Sequence, residues 1–358
     1  MSKPIIVGIS GGVDSSVSAF TLKEKGYDIE CIFMKNWDGN EESCTSEEDY
    51  KDALLVCDKI DVPLRTVNFA KEYWDNVFQY FLSEHSKNRT PNPDVICNRE
   101  IKFNSFLNYS IELGAKKIAT GHYAQINKKD GLYTLHKGKD NTKDQSYFLC
   151  YLNQRALSRS IFPIGDISKN RVRQIARDNN LLNHSKKDST GICFIGEQAH
   201  FKKFLKKYIP EKPGLIKTAD GITCGRHDGL MYYTIGQRKG LGIGGGYGSS
   251  ELPWFVADKN IKENVLVVVQ GHDHPALYHS TLTVSNFNWI SGTPSKKNSL
   301  TAKIRYRQND QNCNIALLGK DRVHIKFDEP QFAITPGQFA VLYDNDECLG
   351  GGIIDDRK

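Results

Sequence analysis

The chain has 358 residues, 39% hydrophobic and 25% charged, with a formal net charge of +6. These are the proportions of an ordinary soluble globular protein too long for one typical core, and the mild positive balance permits a polyanionic partner without requiring one. No apolar run approaches membrane-spanning length and Lys3-Pro4 leads straight into a strand, so a leader peptide and a membrane partner are not expected and the expected compartment is the cytoplasm.

Ile5 to Ile9 is a short β-branched apolar run, the pattern of a buried parallel strand. The chain turns on Ser10-Gly11-Gly12 and continues into Val17, Ala19, Phe20 and Leu22, apolar at helical spacing. Two adjacent glycines let the backbone approach a ligand, and Ser15 and Ser16 fall beside the unpaired N–H groups of the new helix. That is a seat for phosphate. It is not a Walker A loop, because the Gly-Lys-Ser/Thr ending is missing. The string Ser10-Gly-Gly-Val-Asp-Ser-Ser16 resembles the pyrophosphate loop of ATP pyrophosphatases, which cleave ATP between its α and β phosphates and activate a substrate oxygen as an adenylate.

A second strand is expected over Ile29 to Met34 and a third over Leu64 to Phe69, with a helix between them opened by the capping box Thr45-Ser46-Glu47-Glu48. Trp74, Val77, Phe78, Phe81 and Leu82 mark the buried stripe of a further helix. Two prolines stiffen the loop Thr90 to Glu100, and a helix with Ile101, Phe106, Leu107 and Ile111 follows, ending at Gly114. A strand over Ile118 to Thr120 leads to Gly121-His122. Alternating strands and helices predict a doubly wound, Rossmann-like parallel sheet that binds ligands at the carboxyl ends of its strands.

Ser168 is expected to open a helix, and His200 to Tyr208 to form a basic one. Pro210 and Pro213-Gly214 mark a boundary, and the glycine-rich run Gly240 to Gly248 reads as a loop. Beyond Leu277 short strands over Leu282 to Phe287, Thr301 to Tyr306, Val323 to Phe327 and Phe339 to Tyr343, with turns at Thr335-Pro336-Gly337 and Gly350-Gly-Gly352, predict a small β-barrel. The expected domains are a catalytic domain over 1–200, a small central domain over 201–276 and the barrel over 277–358.

Nine cysteines, odd in number, widely spaced and without Cys-x-x-Cys, argue against a disulfide framework, a zinc ribbon or any other structural metal site. Two stand out. Cys97 lies three residues after Asp94 at the expected edge of a helix, where a thiol's pKa falls and a nearby carboxylate can move protons. Cys193 follows Ser-Thr-Gly, with small neighbours that leave its sulfur approachable. In a chain that adenylates a substrate, a persulfide on one cysteine would deliver sulfur and the other thiolate would resolve it, leaving a disulfide.

The same order of motifs runs through the whole chain: Met34-Lys-Asn-Trp37, Thr90-Pro-Asn-Pro-Asp94 with Cys97-Asn98, Ala119-Thr-Gly-His-Tyr123, Lys143-Asp-Gln-Ser-Tyr-Phe148, Asp188-Ser-Thr-Gly-Ile-Cys-Phe-Ile-Gly-Glu197, Gly236-Gln-Arg-Lys-Gly-Leu-Gly242 and Arg305-Tyr-Arg307. With the phosphate loop they resemble the bacterial tRNA-specific 2-thiouridylases from end to end. The resemblance implies that Gly8, Ile9, Ser10, Gly11, Gly12, Val13, Asp14 and Ser15 hold the phosphates of ATP, with Met34 and Gly121 lining the nucleotide pocket. It implies Asn92, Pro93 and Asp94 at the target base, Cys97 as nucleophile, Cys193 as persulfide carrier and Asp94 as general acid/base. Lys143, Asp144 and Gln145 would touch tRNA, as would Arg305 and Tyr306. The substrate would be the wobble uridine of tRNAs for lysine, glutamate and glutamine, thiolated at C2. A cysteine desulfurase or sulfur-relay protein would charge Cys193, and Mg2+ would accompany the pyrophosphate, although no carboxylate pair identifies its ligands.

Two other readings share the loop. An adenylating enzyme making an amide or guanidino product would not need either cysteine, and a non-catalytic RNA-binding protein would not turn over ATP.

Overall fold

The computed structural model describes residues 4–38, 46–188, 201–244 and 252–358. Strand Ile5–Ile9 is the centre of a five-stranded parallel sheet, flanked by Ile29–Lys35 and then Leu64–Asn68 on one side and by Lys117–Ala119 and then Ser160–Ile161 on the other. The order reverses at this central strand, so the loop after it opens into the crevice where such sheets take ligands. Every residue of the strand is buried, which is why it carries no polar alternation. Among the described residues, no helix is long and apolar enough to cross a membrane.

A four-stranded sheet follows, built from Gly214–Thr218, Thr223–His227, Trp254–Asn260 and Val265–Gln270. Next come the strands Tyr278–Trp289, Ser299–Lys303, Gln311–Leu317, Val323–Phe332, Phe339–Asp344 and Glu347–Arg357. They close into an antiparallel barrel when the first pairs with the last. The hairpin Ala124–Lys129 and Leu132–Lys137, which lies within the expected catalytic domain, adds to this same sheet through the pairing of Leu135 with Cys348.

Three local readings are corrected. The strand expected to run to Tyr306 stops at Lys303, so Arg305-Tyr306-Arg307 lies in the turn that follows it. The glycines Gly350 to Gly352, expected as a turn, sit inside the last strand. A β-carbon on Gly350 would lie 1.8 Å from the Asn288 carbonyl oxygen, and one on Gly352 would lie 2.5 Å from Val284. They are glycines because neighbouring strands press on them, not because the chain reverses. The helix expected after Glu100 already begins at Pro93 and runs to Glu112, widened into a π-helical stretch over Asn98–Ser105. Pro93 is suited to the first helical position, and the Asn92 Oδ1 accepts from the Val95 N–H as the cap.

Candidate active site

The phosphate loop is held by its own serines. The Ser15 hydroxyl accepts from the Ser10 N–H at 3.1 Å and donates to the Gly12 carbonyl at 3.0 Å. Asn183 donates to the Gly11 carbonyl and to the Ser16 hydroxyl, both at 2.8 Å, anchoring the turn from outside. Gly11 has φ +73, the left-handed region, and a β-carbon there would strike the Asp49 carbonyl. Gly121, at the end of the neighbouring strand, packs so tightly on the helix start that a β-carbon would lie 2.7 Å from the Ser15 nitrogen. On the other face, Met34 and Phe106 both stand against Gly8. Gly8 thus packs against Met34, and Gly121 packs against the loop at Asp14 and Ser15.

Asp14 is the carboxylate of this loop. The Tyr123 hydroxyl donates to its Oδ1 at 2.7 Å, and the Lys169 ammonium lies 2.8 Å from both of its oxygens. Lys169 is almost buried at the start of helix Lys169–Asp178, whose cap Ser168 accepts from the Arg171 N–H. Its ammonium also reaches Asp188 at 2.6 Å, and Asp188 receives Lys143 at 2.8 Å and Arg173 at 3.1 Å. Burial alone would raise the Asp188 carboxyl. Its hydrogen bonds to Lys143 and Lys169 prevail and hold it at about 2. This chain of charges joins the phosphate loop to two segments distant in sequence. Sequence alone does not single out Lys169 and Asn183, because each is ordinary in its own stretch and becomes notable only through its partner, while Tyr123 closes a motif that gave no hint of its bond to Asp14.

Asp94 and Cys97 lie three apart on one helix, which brings both to the same side. The thiol is buried, whereas Asp94 keeps solvent access while dense protein around it raises its carboxyl, with Lys102 pulling it partly back. Asn98 donates to the Phe148 carbonyl at 3.1 Å, and its buried Oδ1 has no hydrogen-bond partner among the described residues. The segment leading to this helix is gripped by the other two units. Thr90 donates its N–H to the Pro336 carbonyl, Gln338 donates to the Thr90 and Pro91 carbonyls, and the Thr90 and Thr234 hydroxyls lie 3.2 Å apart.

Of the residues expected at tRNA, Asp144 is buried, accepting from the Gly138 and Ser146 N–H groups with Lys303 at 3.4 Å. The Gln145 side chain accepts from the Tyr123 N–H. Arg305 donates to the Ala333 carbonyl, and Tyr306 packs its ring on Phe148 at 4.4 Å. Cys193 lies outside the described residues.

Three family profiles match in succession: the tRNA methyl transferase HUP domain over residues 3–197, the tRNA methyl transferase PRC-barrel domain over 202–270, and the aminomethyltransferase β-barrel domain over 279–354. The chain is 55% identical over 99% of its length to a protein of Hydrogenovibrio crunogenus, covering 94% of that relative. It is 56% identical over 98% to one of Francisella philomiragia (98% covered) and 57% identical over 98% to one of Nitrosomonas europaea (97% covered). All three are named tRNA-specific 2-thiouridylase MnmA. The chain belongs to the MnmA tRNA-specific 2-thiouridylase family. The five-stranded parallel sheet is thus the HUP domain of this family, the four-stranded sheet its PRC-barrel domain, and the closed antiparallel sheet its C-terminal barrel.

Proposed function

We propose that the chain is an ATP-dependent tRNA sulfurtransferase that converts C2 of wobble uridine 34 to the 2-thio form, in keeping with the 2-thiouridylase name of its relatives. The observation that carries this reading is the end-to-end match to relatives so named, joined to a phosphate loop whose motif implies adenylation.

Oxygen at C2 of uridine is a poor leaving group. In the proposed reaction it attacks the α-phosphorus of ATP, pyrophosphate departs, and C2 then carries a good leaving group, AMP. The Ser10 to Ser15 loop seats the phosphates, with magnesium entering as part of the nucleotide substrate, and Lys169 supplies a cation beside it. The target base, splayed out of its loop as single-stranded RNA recognition requires, lies against Asn92, Pro93 and Asp94. The terminal sulfur of a persulfide on Cys193 attacks C2 and AMP leaves. The Cys97 thiolate then attacks the Cys193 sulfur, breaking the S–S bond, so that the new sulfur stays on uridine and a Cys97–Cys193 disulfide forms. A thiol reductant resets the pair. Asp94, its carboxyl raised above its ordinary value by the dense protein around it, is placed to serve as general acid/base. A cysteine desulfurase or sulfur-relay protein recharges Cys193, and the tRNAs are those for lysine, glutamate and glutamine.

Incubation with ATP, tRNA and a sulfur donor, followed by mass spectrometry of the anticodon-loop nucleosides, tests the reading. The expected product is 2-thiouridine at position 34, lost in Cys193→Ser while AMP release continues, and lost also in Cys97→Ser. Methylated uridine in place of thiolated uridine would replace sulfur transfer with the chemistry for which the first family profile is named.

A further inference from the structure

We propose that Lys102 is a catalytic residue of the adenylation step, its ammonium meeting the α-phosphate of ATP in the gap between the phosphate loop and the reactive helix. This role rests on the reading that the chain adenylates its target uridine.

The reactive helix packs near the carboxyl ends of two neighbouring parallel strands. Phe106 stands against Gly8 of the central strand, where a β-carbon would lie 3.2 Å from its ring. Earlier on the helix, Phe103 packs on His122 with ring centroids 5.8 Å apart, and both pack on Phe162. His122 directly follows Gly121, the residue pressed onto Asp14 and Ser15. Lys102 therefore stands between the end of the helix that carries Asp94 and Cys97 and the part that packs on the phosphate-loop strand. The π-helical widening over Asn98–Ser105 sets its direction. With hydrogen bonds reaching five residues, Lys102 is just over one turn past Cys97 and about one turn before Phe106. An unwidened helix would swing it away from Cys97.

The charge of Lys102 is unmatched. Other cations of the site already have partners: Lys169 lies on Asp14 and Asp188, and Lys143 and Arg173 lie on Asp188. Lys102 is half-buried, yet among the described residues no carboxylate comes within ion-pair distance of it. Its field reaches both walls of the gap. The dense protein around Asp94 raises that carboxyl and Lys102 draws it partly back, while burial holds His122 neutral and Lys102 adds to that effect. The neutral ring is fixed by Thr120, whose hydroxyl lies 2.8 Å from the His122 Nδ1. A partly desolvated ammonium without a counter-ion is costly until an anion arrives, and the α-phosphate is the anion this reaction brings.

In the step itself, uridine O2 bonds to the α-phosphorus while the bond to the oxygen bridging to the β-phosphate breaks. Pyrophosphate leaves with that electron pair, and the uridine N3 proton passes to Asp94. Lys102 offsets the charge on the non-bridging oxygens as the incoming oxygen approaches, and keeps its own proton throughout.

The test is exchange of labelled pyrophosphate into ATP by the full chain, with tRNA present and no sulfur donor, which reads this step alone. Lys102→Gln should lower the exchange rate about 100-fold, the usual cost of losing one fixed donor at a developing charge. Its tRNA affinity and urea midpoint should stay at wild-type values. Lys102→Arg, which keeps the charge, should recover part of the loss. Wild-type exchange in Lys102→Gln would overturn the role. So would a loss that follows weaker tRNA binding or a lower urea midpoint, or a Lys102→Arg variant no faster than Lys102→Gln. A wild-type chain without tRNA-dependent exchange would instead remove the adenylation reading beneath it.

Discussion

The phosphate loop and the last strand of the barrel solve the same packing problem and incur different penalties for it. Both place glycine where another backbone already occupies the space of a β-carbon. At Gly121 the neighbour is the Ser15 nitrogen of the loop, and at Gly350 it is the Asn288 carbonyl of a paired strand. In the first case a side chain would displace the start of the helix that follows the phosphate loop. In the other it would push apart the paired first and last strands that close the barrel.

The larger expected effect on stability belongs to the barrel. In Gly350→Ala the new methyl group would stand 1.8 Å from a carbonyl oxygen, on a residue with φ +140. Overpacking of this kind costs about 3 kcal/mol, the upper end of its usual range. Urea titration should show that loss, with ATP turnover per folded molecule little changed. A variant as stable as the wild type would mean that the strand bends to accommodate the methyl, and the contrast between the two glycines would fail.

Gly121→Ala should do the reverse. The loop sits at the carboxyl end of the sheet's central strand, outside its hydrogen-bonded ladder, so the helix start can shift without unfolding the domain. A displacement of that size in a catalytic seat costs about 100-fold in turnover. ATP-dependent AMP release should fall by that factor, with circular dichroism and urea midpoint close to the wild type. If stability falls as far as activity, the loop is part of the structural core and not a separately adjustable site.

The same contrast explains what could be read from the sequence. The phosphate loop is contiguous: strand, turn and helix start follow one another without a break, and each has a local cause in β-branching, glycine and serine. The barrel depends on pairings between distant segments. Its last strand contains three glycines that read locally as a turn, and some of its sheet comes from the hairpin at Ala124–Lys137, whose register is set by Glu347 and Cys348. The reactive helix is only half legible. Pro93 and Asn92 carry a helix-start signal, yet the proline pair before Asp94 reads as an extended loop, which pushes the expected start past Glu100. Lys169 and Asp188 are opaque as a pair, because an ion pair is a fact of folding and nothing in either residue's own neighbourhood names the other.

Between these two regions lies a contact belonging to neither. His85 lies near the end of the helix Gln79–Ser86, packs its ring on Phe81 and Phe201, and bonds through Nδ1 to the Met231 carbonyl. Burial is the main cause that drives its pKa down to about 4. The bond to Met231 opposes that shift and Lys259 adds to it. The unfolded chain takes up this proton near 6.5, the ordinary histidine value. Between pH 6.5 and 4 the unfolded state therefore binds more protons than the fold, so stability rises with pH across that window and is lost on acidification. From pH 6.5 to 5 the loss should be about 2 kcal/mol. Other groups titrate over the same range, so the readout is a difference. Urea midpoints at the two pH values should converge in His85→Gln relative to the wild type, by an amount matching that loss. If the drop is equal in both proteins, His85 gains its proton in the fold as easily as in water. The join between the catalytic and middle domains would then be open to solvent, unlike either the loop or the barrel.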